Sequence, residues 1–349
     1  MLYPVIDAHA HLWDKLDGRI GTTKIRHIGN GRSTFIDGIR QMMPPYLHDG
    51  RNTAEAFIAN MDYTGVAGSV ITQEYIDGNQ DDYLLSVKRK FPNRFMICAL
   101  ADLREKGFSK KLIGKLHAFD GVKVPAQWHG AERIAKPSDG GTAEPHLELA
   151  QGCASKNRTS APRRAQAMPD ASRKRHQSIL TSPESMALYK TMEMLGKFLS
   201  IDLAAGNAQT GELAEIAAEC PMLKISIGHF GMVTRPGWKH QILLARHKNV
   251  MIESGGITWL FHKEFYPYKG AVRAVKTAAD LVGIEKLMWG SDYPRTMTAI
   301  TYCMSLDFFT GTPLLSAAEK RAFLGGNAKR FYGFSRLPKL SYIKNMAED

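Results

Sequence analysis

The residues best able to do chemistry open the chain, in Ile6-Asp7-Ala8-His9-Ala10-His11-Leu12-Trp13. Side chains alternate faces along a strand, so His9 and His11 project to the same side. Two imidazoles converging at a strand end suit a divalent metal, zinc for example, held through nitrogen at about 2.0–2.1 Å. Taken alone, an H-x-H pair is more often a surface or core-edge pair, so its meaning depends on what joins it. Trp289-Gly290-Ser291-Asp292-Tyr293-Pro294 offers a carboxylate. Asp292 can ligate a metal, take a proton from an attacking water, or both; Ser-Asp-Tyr-Pro is also turn chemistry. Ile227-Gly228-His229-Phe230-Gly231 sets an imidazole between glycines that allow close approach of backbone or ligand. His229 is a candidate to polarise a carbonyl or shuttle a proton, the alternative being a satisfied core histidine.

These segments meet only if the elements between them bring them together. Short β-rich runs alternate with amphipathic helical runs along the chain. Strands are expected at Val5–His9, Gly68–Gln73, Phe95–Leu100, Gly121–Pro125, Phe198–Leu203, Leu223–His229, Val250–Ser254 and Lys286–Trp289. Helices are expected between them, at Asn52–Thr64, Tyr83–Phe91, Ser109–His117, Pro183–Leu195, Thr210–Cys220, Gly237–Arg246 and Ala271–Val282. Ser182-Pro183-Glu184 carries helix-start chemistry, a cap followed by proline and an acid. Eight strands each followed by a helix predict the α/β class and a (β/α)8 TIM barrel. In a closed barrel strand eight lies beside strand one, which brings Asp292 to His9 and His11 at the mouth.

Barrels of this kind run to about 250 residues, and this chain has 349. The excess includes a long insertion after strand four. No Phe, Trp or Tyr occurs between Trp128 and Tyr189, and Ala135–Gln177 is rich in Ser, Ala, Pro, Arg and Lys, with Arg163-Arg164 and Arg173-Lys174-Arg175. Such a stretch buries too little apolar surface to offset its ordering entropy, and it reads as a disordered basic insertion. It interrupts a single barrel domain spanning residues 1–349, and is either a solvated excursion or a lid or recognition loop over the site. The tail after Phe334 is polar and is expected to wrap the surface.

The composition, 44% hydrophobic and 23% charged, excludes a mostly disordered chain. No run approaches 18 apolar residues and the N-terminus lacks a signal-peptide core, so neither a membrane association nor secretion is expected. The four cysteines, Cys98, Cys153, Cys220 and Cys303, are widely spaced without a C-x-x-C, and read as reduced thiols of a cytoplasmic protein. The net charge of +12 is scattered rather than interleaved with aromatics, so no nucleic-acid partner is expected. The excess is compatible with an anionic small-molecule substrate. The sequence leaves a homo-oligomer open. No G-x-S-x-G elbow, G-x-G-x-x-G or phosphate-binding P-loop motif is present, which removes the main support for a serine hydrolase, a dinucleotide dehydrogenase and a P-loop enzyme.

Together, the H-x-H strand, the His-Phe-Gly strand and the Gly-Ser-Asp-Tyr-Pro strand resemble the amidohydrolase-related (amidohydrolase 2) branch of the amidohydrolase superfamily. So do Val70-Ile71-Thr72-Gln73 with Gly78-Asn79-Gln80 and Asp82-Tyr83-Leu84-Leu85, and the closing Gly325-Gly326-Asn327-Ala328-Lys329-Arg330-Phe331-Tyr332. The resemblance covers most of Val5–Gly333 apart from the insertion. It implies a (β/α)8 barrel that either hydrolyses lactones and amides or decarboxylates without oxidation. By it, His9 and His11 match the strand-one pair, His229 the strand-six histidine and Asp292 the strand-eight aspartate. One position departs. Metal-dependent relatives usually carry histidine at the end of strand five, where Asp202 stands here. The spacing from Asp202 to His229 is similar to that of the sugar-lactone and 2-pyrone-4,6-dicarboxylate lactonase subgroup, whose members can work without a tightly held metal. Lys123 on strand four reads as a carbamylated metal-bridging lysine, as in other amidohydrolases, or as an anion contact or structural lysine.

Three functions remain open. The leading one is a cytoplasmic lactonase-like hydrolase, acting on a lactone, ester or amide of a small carboxylated substrate. Asp292 and His229 act in catalysis, either with a divalent metal, zinc by expectation, at His9, His11 and Asp292 or with those imidazoles alone. The fork of donors on Arg295 suits a substrate carboxylate. Lys123, Tyr75 and Asp202 join it as expected substrate contacts, with Glu74, Gln127 and Trp128 also at the mouth. The second function is a metal-dependent non-oxidative decarboxylase of an aromatic or muconate-like acid. The third is a catalytically silent barrel that binds through its basic insertion.

Overall fold

Eight strands, all paired in parallel with their sequence neighbours, form one sheet in the computed structural model, which describes residues 3–129 and 178–348. They are β1 (Val5–His11), β2 (Val66–Thr72), β3 (Phe95–Leu100), β4 (Gly121–Val124), β5 (Phe198–Ile201), β6 (Lys224–Ile227), β7 (Val250–Glu253) and β8 (Leu287–Met288). Most of their residues are buried, as parallel strands covered on both sides require. β1 therefore runs two residues further than expected, and it is these two residues that carry His11 into the wall.

The sheet closes on itself. Ala10 bridges Tyr293 in parallel, and backbone bonds run Ala8 N to Trp289 O, Asp292 N to His9 O and His11 N to Tyr293 O, each 2.8 Å. Side chains reinforce the joint. The Asp7 carboxylate accepts from Ser291 N (2.9 Å), Ser291 Oγ (2.5 Å) and Tyr302 OH (2.9 Å). The expected eight-stranded barrel is the structure found.

The outer helices include Ala54–Thr64, Asp81–Lys90, Phe108–Lys115, Pro183–Met194, Thr210–Glu219 and Lys269–Val282, within a residue or two of expectation. Ser182 caps its helix as its sequence suggested, accepting from Ser185 N. The helix expected over Gly237–Arg246 is shorter, with α-helix at Trp238–Leu243 running into a 3-10 turn at Leu244–Arg246. Between β1 and the first helix, residues Arg19–Gln41 form two small antiparallel ribbons that were not expected. The insertion at 135–177 lies outside the described residues. Cys98, Cys220 and Cys303 are free thiols. Among the described residues no helix is long and apolar enough to cross a membrane.

Candidate active site

The C-terminal ends of the barrel strands carry the site, as they do in essentially every characterised enzyme of this architecture. His9 and His11 point inward together, their Nε2 atoms 3.0 Å apart. Asp292 Oδ1 lies 3.1 Å from His11 Nε2 and 3.8 Å from His9 Nε2. All three residues are fully buried. Two imidazole lone pairs and a carboxylate oxygen converge this closely only around a cation, a shared proton or a metal ion.

The far nitrogens explain why the near ones converge. His9 Nδ1 meets Glu253 Oε1 at 2.7 Å, and His11 Nδ1 meets Asp77 Oδ2 at 2.9 Å. A carboxylate on the distal nitrogen fixes tautomer and ring orientation and strengthens the other nitrogen as a ligand. Burial lowers the pKa of His9 despite Glu253, whereas at His11 burial and Arg295 are outweighed by Asp77 and Asp292, which raise it. Burial also opposes charge on Asp292, but the His11 contact and the Arg295 guanidinium hold its carboxyl far below the usual range. Trp259 Nε1 donates to Asp292 Oδ2 at 2.6 Å and fixes the carboxylate plane.

The backbone is bent to aim these groups. Asp292 (φ 61) and His229 (φ 53) both sit in the left-handed region, a strain of about 1–3 kcal/mol for an ordinary residue that the fold sustains at functional sites. A Cβ on Gly228 would fall 1.9 Å from Asp202 Oδ1, so only glycine lets β6 pass this close to the β5 carboxylate.

A second ionic cluster adjoins the first. Lys123 Nζ is 2.6 Å from Asp202 Oδ1, and His229 Nε2 is 3.3 Å from Asp202 Oδ2. Burial opposes the charge on His229, but the Asp202 carboxylate outweighs it and lifts the pKa to about 9, so the ring is an imidazolium at neutral pH. Its Nδ1–H donates to Gly255 O at 3.0 Å. Burial likewise opposes the charge on Lys123, but the Asp202 carboxylate outweighs it and holds the side chain as an ammonium. Three carboxylate and histidine groupings are tight enough for an ion: His9/His11/Asp292, His9/Asp202/Glu253 and Glu74/Asp202/His229. The latter two depend on Asp202, whose oxygens already face the protein's own cations. The first fits a single divalent ion such as zinc, with two nitrogen donors, one oxygen donor and backing carboxylates.

A cavity of about 220 Å³ opens beside these groups, lined by Asp292, His229, Asp202, Glu74 and Arg295 with the apolar Trp128, Trp259, Ile76, Leu203 and Met232. The structure thus brings His9, His11, His229, Asp292, Asp202 and Arg295 together. Arg295 bridges Asp77 and Asp292, and its buried Nε lacks a hydrogen-bond partner. Glu74, Gln127 and Trp128 sit in the lining as expected. Two expected substrate contacts do not. Tyr75 turns away, its hydroxyl donating to Ala101 O at 2.9 Å and meeting His129 Nε2 at 3.1 Å. Lys123 is spent on Asp202 within the barrel and is absent from the lining. Glu253, Asp77 and Trp259 were not foreseen. Glu253 left one signal, an acid ending the apolar strand Val250-Met251-Ile252.

Glu253→Gln removes the charge behind His9 and is expected to weaken metal binding about 10–100-fold. Competition with a chromogenic chelator measures this, and an unchanged affinity would show that Glu253 does not support the ligand.

A family model described as amidohydrolase matches residues 6–334. No curated protein matches the chain. Among solved structures, a probable 2-pyrone-4,6-dicarboxylic acid hydrolase from Acinetobacter baumannii, with citric acid bound, is similar at TM-score 0.61 and 18% identity, over 94% of this chain and 99% of that one. An amidohydrolase from Burkholderia multivorans with bound zinc is similar at TM-score 0.60 and 16% identity, over 96% and 100%. A 5-carboxyvanillate decarboxylase from Novosphingobium aromaticivorans, complexed with manganese, is similar at TM-score 0.52 and 15% identity, over 80% of each chain. At these identities the likeness is one of fold.

Proposed function

The chain belongs to the amidohydrolase family, and on that premise we propose that it hydrolyses a lactone, or a related ester or amide, of a small substrate. The observation that carries this is the convergence of His9 Nε2, His11 Nε2 and Asp292 Oδ1 within 3.8 Å of one another, each imidazole backed by a carboxylate. His9, His11 and Asp292 would hold a divalent metal, zinc by the donor set, which when bound supplies Lewis acidity and lowers the pKa of water.

The chain's own residues do the rest. Asp292 faces the cavity and accepts a proton from the attacking water. The His229 imidazolium lies on the same lining and stabilises negative charge growing on the carbonyl oxygen, in a buried site where such interactions are strongest. Arg295 presents an unpartnered buried Nε and anchors a substrate carboxylate. Trp128, Trp259 and Met232 supply the apolar part of the walls. The A. baumannii hydrolase of similar fold supports the lactone reading.

A second reading is non-oxidative decarboxylation of an aromatic acid. The largely apolar lining, with two indoles, and the similar fold of the 5-carboxyvanillate decarboxylase favour it. Metal analysis and product analysis separate the two. We expect one divalent ion per chain as purified, lost in His9→Ala, and proton release without carbon dioxide from a panel of lactones. Carbon dioxide released from a carboxylated aromatic by the metal-loaded protein would establish the second reading instead. Absence of any bound metal after zinc loading would remove the assigned role of His9 and His11.

A further inference from the structure

We propose that Glu74 is the general acid of this site, giving its proton to the oxygen that leaves when the ester bond breaks. The inference rests on the hydrolase reading above. Glu74 follows β2, is 4% exposed and shares the cavity lining with Asp292 and Arg295. Gln127 Nε2 donates to its Oε1 and Trp128 Nε1 to its Oε2, each at 3.1 Å. These two bonds fix the plane of the carboxyl group, and the protonated carboxyl also donates to Asp202, so a substrate oxygen must take over that hydrogen bond to receive the proton.

The surroundings give the carboxyl a reason to hold a proton. Glu74, Asp202 and His229 present atoms within 4.8 Å of one another, and Asp202 is the member that carries Lys123 and His229 as counter-ions. Facing the Glu74 carboxyl are Lys123 on β4, Asp202 just after β5, His229 just after β6 and Arg295 from the loop after β8, while Asp77 accepts from the Glu74 backbone N–H and Asp292 shares the cavity lining. Burial and then the Asp202 charge raise its pKa to about 7, with Lys123 and His229 opposing. A buried carboxylic acid poised near neutrality on the cavity wall is a proton donor.

Asp292 is poorly placed to serve both halves of the reaction, because His11, Trp259 and Arg295 already engage its oxygens. The division of labour balances. Water gives one proton to Asp292 as its oxygen bonds to the carbonyl carbon. The bond from that carbon to the leaving oxygen then breaks, its electron pair stays with the oxygen, and that oxygen takes the proton of Glu74. The proton on Asp292 returns to Glu74 through cavity water, so both groups are restored and one water has been consumed.

The test compares δ-valerolactone, which expels an alkoxide, with dihydrocoumarin, which expels a phenoxide that needs no proton to depart. Glu74→Gln is expected to lower kcat about 100-fold or more on δ-valerolactone and only a few-fold on dihydrocoumarin. Glu74→Asp should restore part of the loss on δ-valerolactone. Circular dichroism and metal content serve as controls for folding. Should Glu74→Gln not fold, Glu74→Asp carries the same comparison, with a larger deficit on the alkyl lactone expected. Equal slowing of both lactones, or no slowing of either, overturns the assignment while leaving the hydrolase reading intact. A wild-type protein that opens neither these two lactones nor any other lactone or ester overturns the hydrolase reading itself, and this assignment with it.

Discussion

Asp292→Asn is expected to lower kcat by about 10³-fold or more, the sum of a lost general base and a lost anionic ligand, while leaving the fold intact. Asparagine is nearly isosteric and can still occupy the turn at φ 61, a conformation that Asn and Asp tolerate better than most residues. Its amide oxygen can still accept from Trp259 Nε1, which now meets Asp292 Oδ2 at 2.6 Å. The negative charge opposite His9, His11 and Arg295 disappears, and with it the ability to take a proton from water. Steady-state kinetics on a lactone substrate, paired with metal content and a melting curve, read the outcome. Full activity in folded Asp292→Asn would refute the proposed mechanism.

Lys123→Met is expected to destabilise the fold by about 3–5 kcal/mol, the usual cost of stranding one partner of a buried ion pair. Lys123 is fully buried and Asp202 is 2% exposed, with 2.6 Å between the charged atoms. Methionine preserves most of the volume, so the loss reports charge rather than a cavity. Denaturant titration should show the full cost in Lys123→Met and recovery of much of it in Lys123→Met/Asp202→Leu, where neither charge remains. A cost below about 1 kcal/mol would place the pair among the weak, water-screened ones.

The barrel was legible because its signals are redundant: eight apolar strands of regular spacing, each followed by an amphipathic helix, allow few other architectures. His9, His11 and Asp292 were legible for a related reason. Strand alternation places the two histidines on one face, and closure places β8 against β1, so adjacency follows from topology without any contact being known. Glu253 and Asp77 were not legible. Each acts through the far nitrogen of a histidine, from β7 or from the turn Ile76-Asp77-Gly78, and acids at strand ends and in turns are common for unrelated reasons. Tyr75 and Lys123 show the converse limit. A position beside the mouth does not say which way a side chain turns, and their hydrogen-bond and ion-pair partners decided it. The ribbons within Arg19–Gln41 escaped because strands of two to four residues are too short to show a period of two.

The clasp between Asp7 and the pair Ser291 and Tyr302 joins the first strand to the last. Ring closure and assembly of the chemistry are therefore a single event. The pocket that needs His9, His11 and Asp292 side by side is complete only when the last strand has met the first. During refolding, regained turnover would time the final seam of the ring rather than the gradual condensation of the chain.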